Sequence, residues 1–410
     1  MNKPGRTLCL ILMVPLLSAL LSGCWDNREL SELGITSGSA YDWENNEWKA
    51  TYQVINPSSG SSGMGGSGGG STSSPPFLTF TVKGRTIMEA IERSNLTSTR
   101  EMFFSHSRIT VIGESLAKHG INQLLDLFLR KQDARETVYM FISQGDAGDI
   151  LDQLMQMTKN QGAGIQLMIE QEAKLLSYYP GTRLYELAMA LSSESGSAVL
   201  PEIRLTGPKI MDETSETGVT DLPSRLELGR LGVLKGEKFV GWLNQKQAFG
   251  LSFMTDNIES ATIAFASQPA ISGKPDASFI LQNSTTSVRP VWAKDHYIMD
   301  INIKGSGVLT ELGSVMDLND RAAITGMEES LEQQVTELVN TSWAEIKKLG
   351  ADVTGFAVRI HRSDRKHWKQ IEKEKSWDSV FKEIEIRPHV SFQIERTGLS
   401  NKSFKSVQQE

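Results

Sequence analysis

Six histidines (His106, His119, His296, His361, His367 and His389) and two cysteines, Cys9 and Cys24, are the side chains best able to ligate a metal or act as nucleophile or base. Their spacing does little with that capacity. No His-Glu-x-x-His pair and no paired Cys/His set occurs, so the common metal-site patterns are missing. Ser105 and His106 are neighbours, but they fall in a stretch, 103–112, that reads as a strand, where adjacent side chains point to opposite faces. Gly63-x-Gly65-x-x-Gly68 matches a dinucleotide loop and Gly65-x-Ser67-x-Gly69 a nucleophile elbow. Both fall in a low-complexity Gly/Ser tract, without the strand-to-helix turn that would build a phosphate nest or expose a serine. The chemistry that remains is that of one thiol.

That thiol is Cys24, and what precedes it is ordered. Lys3 and Arg6 form a positive start, residues 8–20 are apolar except for Pro15 and Ser18, and the stretch ends Leu21-Ser22-Gly23-Cys24. As a helix, residues 8–21 would reach about 21 Å, short of the ~30 Å hydrocarbon core, so a permanent span is disfavoured. The ending resembles the bacterial lipobox, in which a transferase needs a thiol nucleophile at membrane level and a peptidase needs small residues before the cut. The resemblance implies a signal peptide over 1–23 and thioether lipidation of Cys24, with palmitate-type acyl chains tying the mature chain to a membrane. Cys9 would leave with the leader. One cysteine then remains, which excludes an internal disulfide.

Bulk composition agrees with an exported, folded body. The chain has 410 residues, 39% hydrophobic and 22% charged, enough for two or three cores. Formal charge is −7; loss of Lys3 and Arg6 leaves 40 basic against 49 acidic side chains, a net −9. Such a chain lacks the clustered cations that nucleic acid requires, so no nucleic-acid partner is expected. No cofactor or metal site is expected either.

The elements that would position these residues alternate. Residues 35–41 and 48–55 read as a hairpin turned at Asn45-Asn46, with Trp48, Ala50, Tyr52 and Val54 on one face. Residues 57–76 are Gly/Ser-rich and read as a flexible loop between strands. Residues 77–82 resume strand. Thr86-Ile87-Met88-Glu89 opens a helix through Ser94. A strand over 103–112, a helix over 114–131 and a strand over 137–143 follow, then helices within 146–192 and a strand over 198–205. Polar residues 212–224 mark a boundary. Beyond it, strands are expected at 230–234, 238–243, 260–265, 278–288, 296–304, 354–360 and 390–394, with a long amphipathic helix over 320–349 ended by Gly350. The fold class is therefore α+β and multi-domain, with mixed β-sheets and flanking helices. An N-terminal α+β region covers 24–210, with a further break near 145. A C-terminal α+β domain covers 225–400. Residues 359–375, with seven Lys or Arg and Trp368, read either as a docking face or as a solvated helix.

The motifs Cys24-Trp25-Asp26-Asn27-Arg28-Glu29-Leu30, Glu32-Leu33-Gly34-Ile35, Gln53-Val54-Ile55-Asn56-Pro57 before the glycine tract, Gly84-Arg85-Thr86-Ile87, Phe104-Ser105-His106 and Val111-Ile112-Gly113-Glu114 resemble the Ger(x)C family, the lipoprotein C-subunits of spore germination receptors. Val240-Gly241-Trp242-Leu243 and the 320–349 helix are similar but less diagnostic. The resemblance implies a receptor with two integral membrane subunits, one similar to amino-acid transporters. This chain would be the peripheral subunit, lipid-anchored on the extracytoplasmic face of the inner spore membrane, in an assembly that detects small nutrients. It brings no catalytic residues, so a non-enzyme is expected. Trp25, Asp26, Arg28 and Glu29 lie close enough to the anchor to touch membrane or partner, and local capping and packing of the first region explains them equally. The competing reading is a solute-binding lipoprotein that delivers a nutrient to a transporter.

Overall fold

The computed structural model describes residues 29–57, 75–158, 160–208, 210–211, 213, 220, 223–268, 273–374 and 376–396. The signal peptide, Cys24, Trp25, Asp26 and Arg28, and most of the Gly/Ser tract with its Gly63 and Gly65 patterns, lie outside the described residues.

Strands β1 (Leu33–Glu44) and β2 (Glu47–Ile55) form the expected hairpin, with Trp43 opposite Trp48 and Glu44 opposite Glu47. Asn45 and Asn46 both take positive φ, 52° and 64°, the two-residue turn whose twist matches the strands and which asparagine tolerates. β3 (Phe77–Gly84) pairs antiparallel with β2. Helix α1 (Ile87–Arg93) follows, capped by the Thr86 side chain, which accepts from the Glu89 N–H at 3.1 Å. β4 (Glu101–Phe103) and β5 (Ile109–Gly113) both run parallel to β1. α2 (Glu114–His119), α3 (Asn122–Arg130), β6 (Tyr139–Ser143), α4 (Ala147–Asp152), α5 (Gln161–Leu175), α6 (Leu184–Ser192), β7 (Ser197–Thr206), β8 (Arg225–Lys235) and β9 (Lys238–Leu243) complete the first half. They make a nine-stranded mixed sheet in the order β3-β2-β1-β5-β6-β7-β8-β9, with β4 beside the start of β1.

Helices cover both faces, which is why the central strands are apolar almost throughout. Along β6 the side chains split by period two: Phe141 packs with Ile109, Val111, Ile150 and Ile165 on one face, and Met140 and Ile142 pack with Ile112, Leu116, Leu124 and Leu184 on the other.

The second half adds α7 (Gln245–Met254), β10 (Ala261–Phe265), β11 (Ala277–Ala293), β12 (His296–Leu312), α8 (Arg321–Leu349), α9 (Phe356–Ser363), α10 (Arg365–Glu374), α11 (Trp377–Glu383) and β13 (Glu385–Arg396). The last four strands form a sheet ordered β10-β11-β12-β13. α8 buries Met327, Leu331, Val335, Val339, Trp343 and Ile346, a three-or-four-residue stripe, and ends at Gly350 in the left-handed region. Its polar side chains reach both outer strands. Glu332 and Glu328 accept from the N–H groups of Phe392 and Ile394 on β13, at 2.9 and 2.8 Å. Gln334 and Ser330 donate to the carbonyls of Ala264 and Ala266, at 3.0 and 2.6 Å, along β10. One helix thus blunts both exposed edges of the sheet. The α+β class with two mixed sheets and flanking helices holds.

Several expectations need correction. The strand expected at 354–360 is replaced from Phe356 onward by helix α9: buried Asp352 accepts the N–H groups of Phe356 and Ala357 at 3.0 and 2.8 Å and holds the helix start. The helix expected over 114–131 is two helices, because Gly120 turns the chain at φ 135° and the Ile121 N–H is drawn to the Glu237 carbonyl at 3.0 Å. The single strand over 103–112 is β4 and β5 with a turn between them. Strands β8 and β9, which follow the polar stretch 212–224, pair onward from β7 and close the first sheet. Helix α7 was not anticipated. It is buried on all sides from Ala248 to Met254, so it shows no stripe; its Asn244-x-x-Gln247 capping box is the available signal.

Candidate functional site

Glu29, the one described residue of the expected contact set, starts the body. Its carbonyl accepts from the Glu32 N–H at 3.0 Å and its carboxylate from Ser31 Oγ at 3.2 Å, closing the turn Leu30–Glu32 ahead of β1. Its bonds are thus local, at the point where the chain enters the sheet, and its side chain makes no cap bond to the turn's backbone.

Ser105 and His106 sit in the turn between β4 and β5, not on a strand. Ser105 Oγ donates to the Asp133 carbonyl at 3.1 Å, and His106 is exposed with its ring against Phe103. Serine and histidine thus serve separate partners, and no base activates the hydroxyl. Among the described residues no group of three or more His, Cys, Asp or Glu is placed to hold a metal ion.

The ionisable groups that the fold does bring together lie near the carboxyl ends of the parallel strands, the usual crevice position in such sheets. Asp42, buried near the end of β1, accepts from the Ala147 N–H with both oxygens at 3.1 Å. Burial, and then the neighbouring charge of Asp146, push its carboxyl well above the ordinary value. Asp146 caps α4 through the Gly148 N–H and pairs with Lys49; burial opposes its charge, but the ammonium outweighs it and the carboxyl is held low. Gly113 leaves room for this arrangement: a Cβ there would lie 1.8 Å from Asp42 Oδ1. Beside it opens a cleft of about 510 Å³ lined in part by Gln144, Asp149, Glu202 and Arg230. Glu202, 1% exposed, takes two bonds from the Arg230 guanidinium, at 2.6 and 2.9 Å, and one from the Arg230 N–H at 2.9 Å, while the guanidinium also reaches Gln144 and lies 4.2 Å from the Trp242 ring centre. Asp146 pairs with Lys49 and Glu202 with Arg230, and the latter pair ties β7 to β8. None of this was legible in the sequence, because Asp42, Asp146, Glu202 and Arg230 look like surface residues until the sheet order is known.

Glu172 on α5 is a second buried acid. It is 7% exposed and accepts from the Tyr178 and Tyr179 N–H groups at 2.5 and 3.1 Å; burial raises it to about 7 despite those bonds. In the basic stretch 359–374, Trp368 is buried, stacks on His361 and donates to Glu372 at 3.0 Å, so this tryptophan anchors α10. Lys375 lies outside the described residues.

Two family models match in tandem: "Spore germination protein N-terminal domain" over residues 26–205 and "Spore germination B3/ GerAC like, C-terminal" over 230–398. The chain belongs to the Ger(x)C family of spore germination proteins. Among Ger(x)C relatives, it is 24% identical to "Spore germination protein KC" of Bacillus subtilis (strain 168), covering 97% of this chain and 98% of that one. It is 23% identical to "Spore germination protein B3" of the same organism, covering 93% and 96%. The solved structure "Crystal Structure of the GerBC protein" superposes with a TM-score of 0.56 at 18% identity, covering 90% of this chain and 100% of that one, which shows a shared fold. Ger(x)C membership gives the chain a role in spore germination; the family consists of germinant-receptor subunits and is not a known enzyme family. The two family regions meet inside the nine-stranded sheet, between β7 and β8, whose pairing joins Ser197 to Lys235 and Thr206 to Arg225.

Proposed function

We propose that this chain is the non-enzymatic, lipid-anchored subunit of a nutrient germinant receptor, tied by Cys24 to the extracytoplasmic face of the inner spore membrane. There it serves two integral membrane subunits as a scaffold and coupling body. The lipid restricts it to the membrane surface, which raises its effective concentration near those partners. The observation that carries the scaffold reading is the continuity of its apolar core. One cluster of buried side chains runs from Ala40 and Phe141 in the first sheet through Phe253 of α7 to Trp343 of α8 and Phe392 of β13. Buried ties cross the same junction, including Ser195 Oγ to Asp352 at 2.8 Å and Ser177 Oγ to the Ser260 carbonyl at 2.8 Å. A body of this kind passes force as one piece, whereas hinged solute-binding lobes need a sparse interface.

The rival reading, a solute-binding lipoprotein, draws on a cleft of about 490 Å³ whose lining includes Glu170, Lys174, Arg183, Glu186 and Glu259. Charges of both signs there could face a zwitterion. Two measurements separate the readings. Deleting the gene should abolish nutrient-triggered germination and leave spores responsive to nutrient-independent triggers; a normal nutrient response in the deletion strain would refute the receptor role. Calorimetry of the chain with amino acids and sugars should show no binding; tight binding would favour the rival.

A further inference from the structure

The first sheet has two unlike ends. The far end carries the Asn45-Asn46 turn, the Lys83–Glu44 ion pair at 2.7 Å and the Arg85–Glu89 pair, with Met88 among them. The near end is where the chain enters β1, and three large apolar side chains stand exposed there: Leu30 at 69%, Leu78 at 46% and Leu96 at 84%. Register places them toward one end of the sheet. Leu30 is three residues before β1; Leu78 is the second residue of β3, opposite Val54 near the end of β2, and Val54 pairs with Thr36 near the start of β1. Leu96 ends the short turn Ser94–Leu96 after α1, and that turn packs against β3 and against β4, whose Glu101 lies opposite Leu33. Exposed leucines of this kind are costly in water when grouped, and grouping marks a contact surface.

The length of chain before the sheet says what covers them. Leu30 lies six residue steps from Cys24, at most about 21 Å of extended chain. β1 itself carries the far turn roughly 35–40 Å beyond Leu33. We infer that the body stands end-on upon the bilayer, with Leu30, Leu78 and Leu96 seated in the boundary between headgroups and acyl chains. This rests on the lipid-anchor reading above. The contact is apolar in origin: among the described residues close in sequence to these leucines, Glu29, Glu32 and Glu101 are balanced in part by Arg93 and Arg100, so anionic lipid should add little.

The test uses the full lipidated chain, in which the Cys24 thiol is blocked, so an added cysteine is the one labelling site. Asn95→Cys reports the near end and Asn46→Cys the far turn, each carrying an environment-sensitive dye on phosphatidylcholine vesicles that contain brominated lipid. The expected result is at least twofold quenching at position 95 and none at 46. It should be lost when Leu30, Leu78 and Leu96 are all changed to serine, while flotation with vesicles persists. Flotation without quenching at 95, or quenching only when integral partners are added, would overturn the inference alone. Failure to float would overturn the anchor reading and the inference together.

Discussion

Glu172 shows what burial does to one carboxyl. Its folded value, raised from 4.5 to about 7, means that the folded chain binds more protons than the unfolded chain between those limits. Stability from this group is therefore full at low pH, falls as pH rises through that window, and is level above it. Glu172→Gln should remove that fall. Denaturant unfolding should show the variant gaining on the parent between pH 4.5 and 8 by on the order of 1–3 kcal/mol. An unchanged difference would sink the assignment. Asp352 makes the opposite case, a buried acid fully used: it accepts from Ser195, Thr354, Phe356 and Ala357 at 2.8–3.0 Å. Asp352→Ala strands those donors and uncaps α9, so a loss of about 2–4 kcal/mol is expected in the same assay. Ser195→Ala, which removes one of the four, should cost about 1 kcal/mol.

At the scale of elements, the crossing of α7 over α8 depends on one small residue. A Cβ on Gly250 would lie 2.0 Å from Ser342 Oγ and 2.8 Å from the Leu338 carbonyl, so Gly250→Ala must push the helices apart. The expected cost is about 1–3 kcal/mol, and Ser342→Gly in the same chain should restore part of it, which thermal unfolding of both variants would reveal. α8 also guards the sheet edges through Glu328 and Glu332 toward β13. Replacing both with alanine frees two edge N–H groups, and the expected outcome is a higher aggregation rate on mild heating, read by light scattering, with the fold's circular dichroism unchanged beforehand. An aggregation rate equal to the parent's would show that the helix body alone shields the edge.

For the whole molecule, anchor and body are separable. On the lipid-anchor proposal, Cys24→Ala should move the chain from membrane to soluble fractions, because it would remove two acyl chains worth roughly 0.8 kcal/mol per buried CH₂. Unfolding of the soluble form should match the parent, since the described body begins at Glu29. A variant that stays membrane-bound would assign the attachment to protein contacts. The nine-stranded sheet also implies that the two family regions fold as one unit: a chain cut between β7 and β8 exposes the apolar faces of Leu200, Leu231 and Val233.

What the sequence determined by itself is what depends on neighbours in the chain. The Asn45-Asn46 turn, the Thr86 cap and the α8 stripe ended by Gly350 are all local patterns, and a few residues suffice to specify them. Tertiary structure alone decided which strands lie side by side, that β8 and β9 close the first sheet, that 356–363 is helical, and that Asp42, Glu202 and Glu172 lose their water. Those outcomes arise between residues far apart in sequence: Asp42 meets Ala147, Glu202 meets Arg230, and Ser195 meets Asp352. A propensity or a charge read along the chain carries no information about such meetings, because burial is a property of the packed whole.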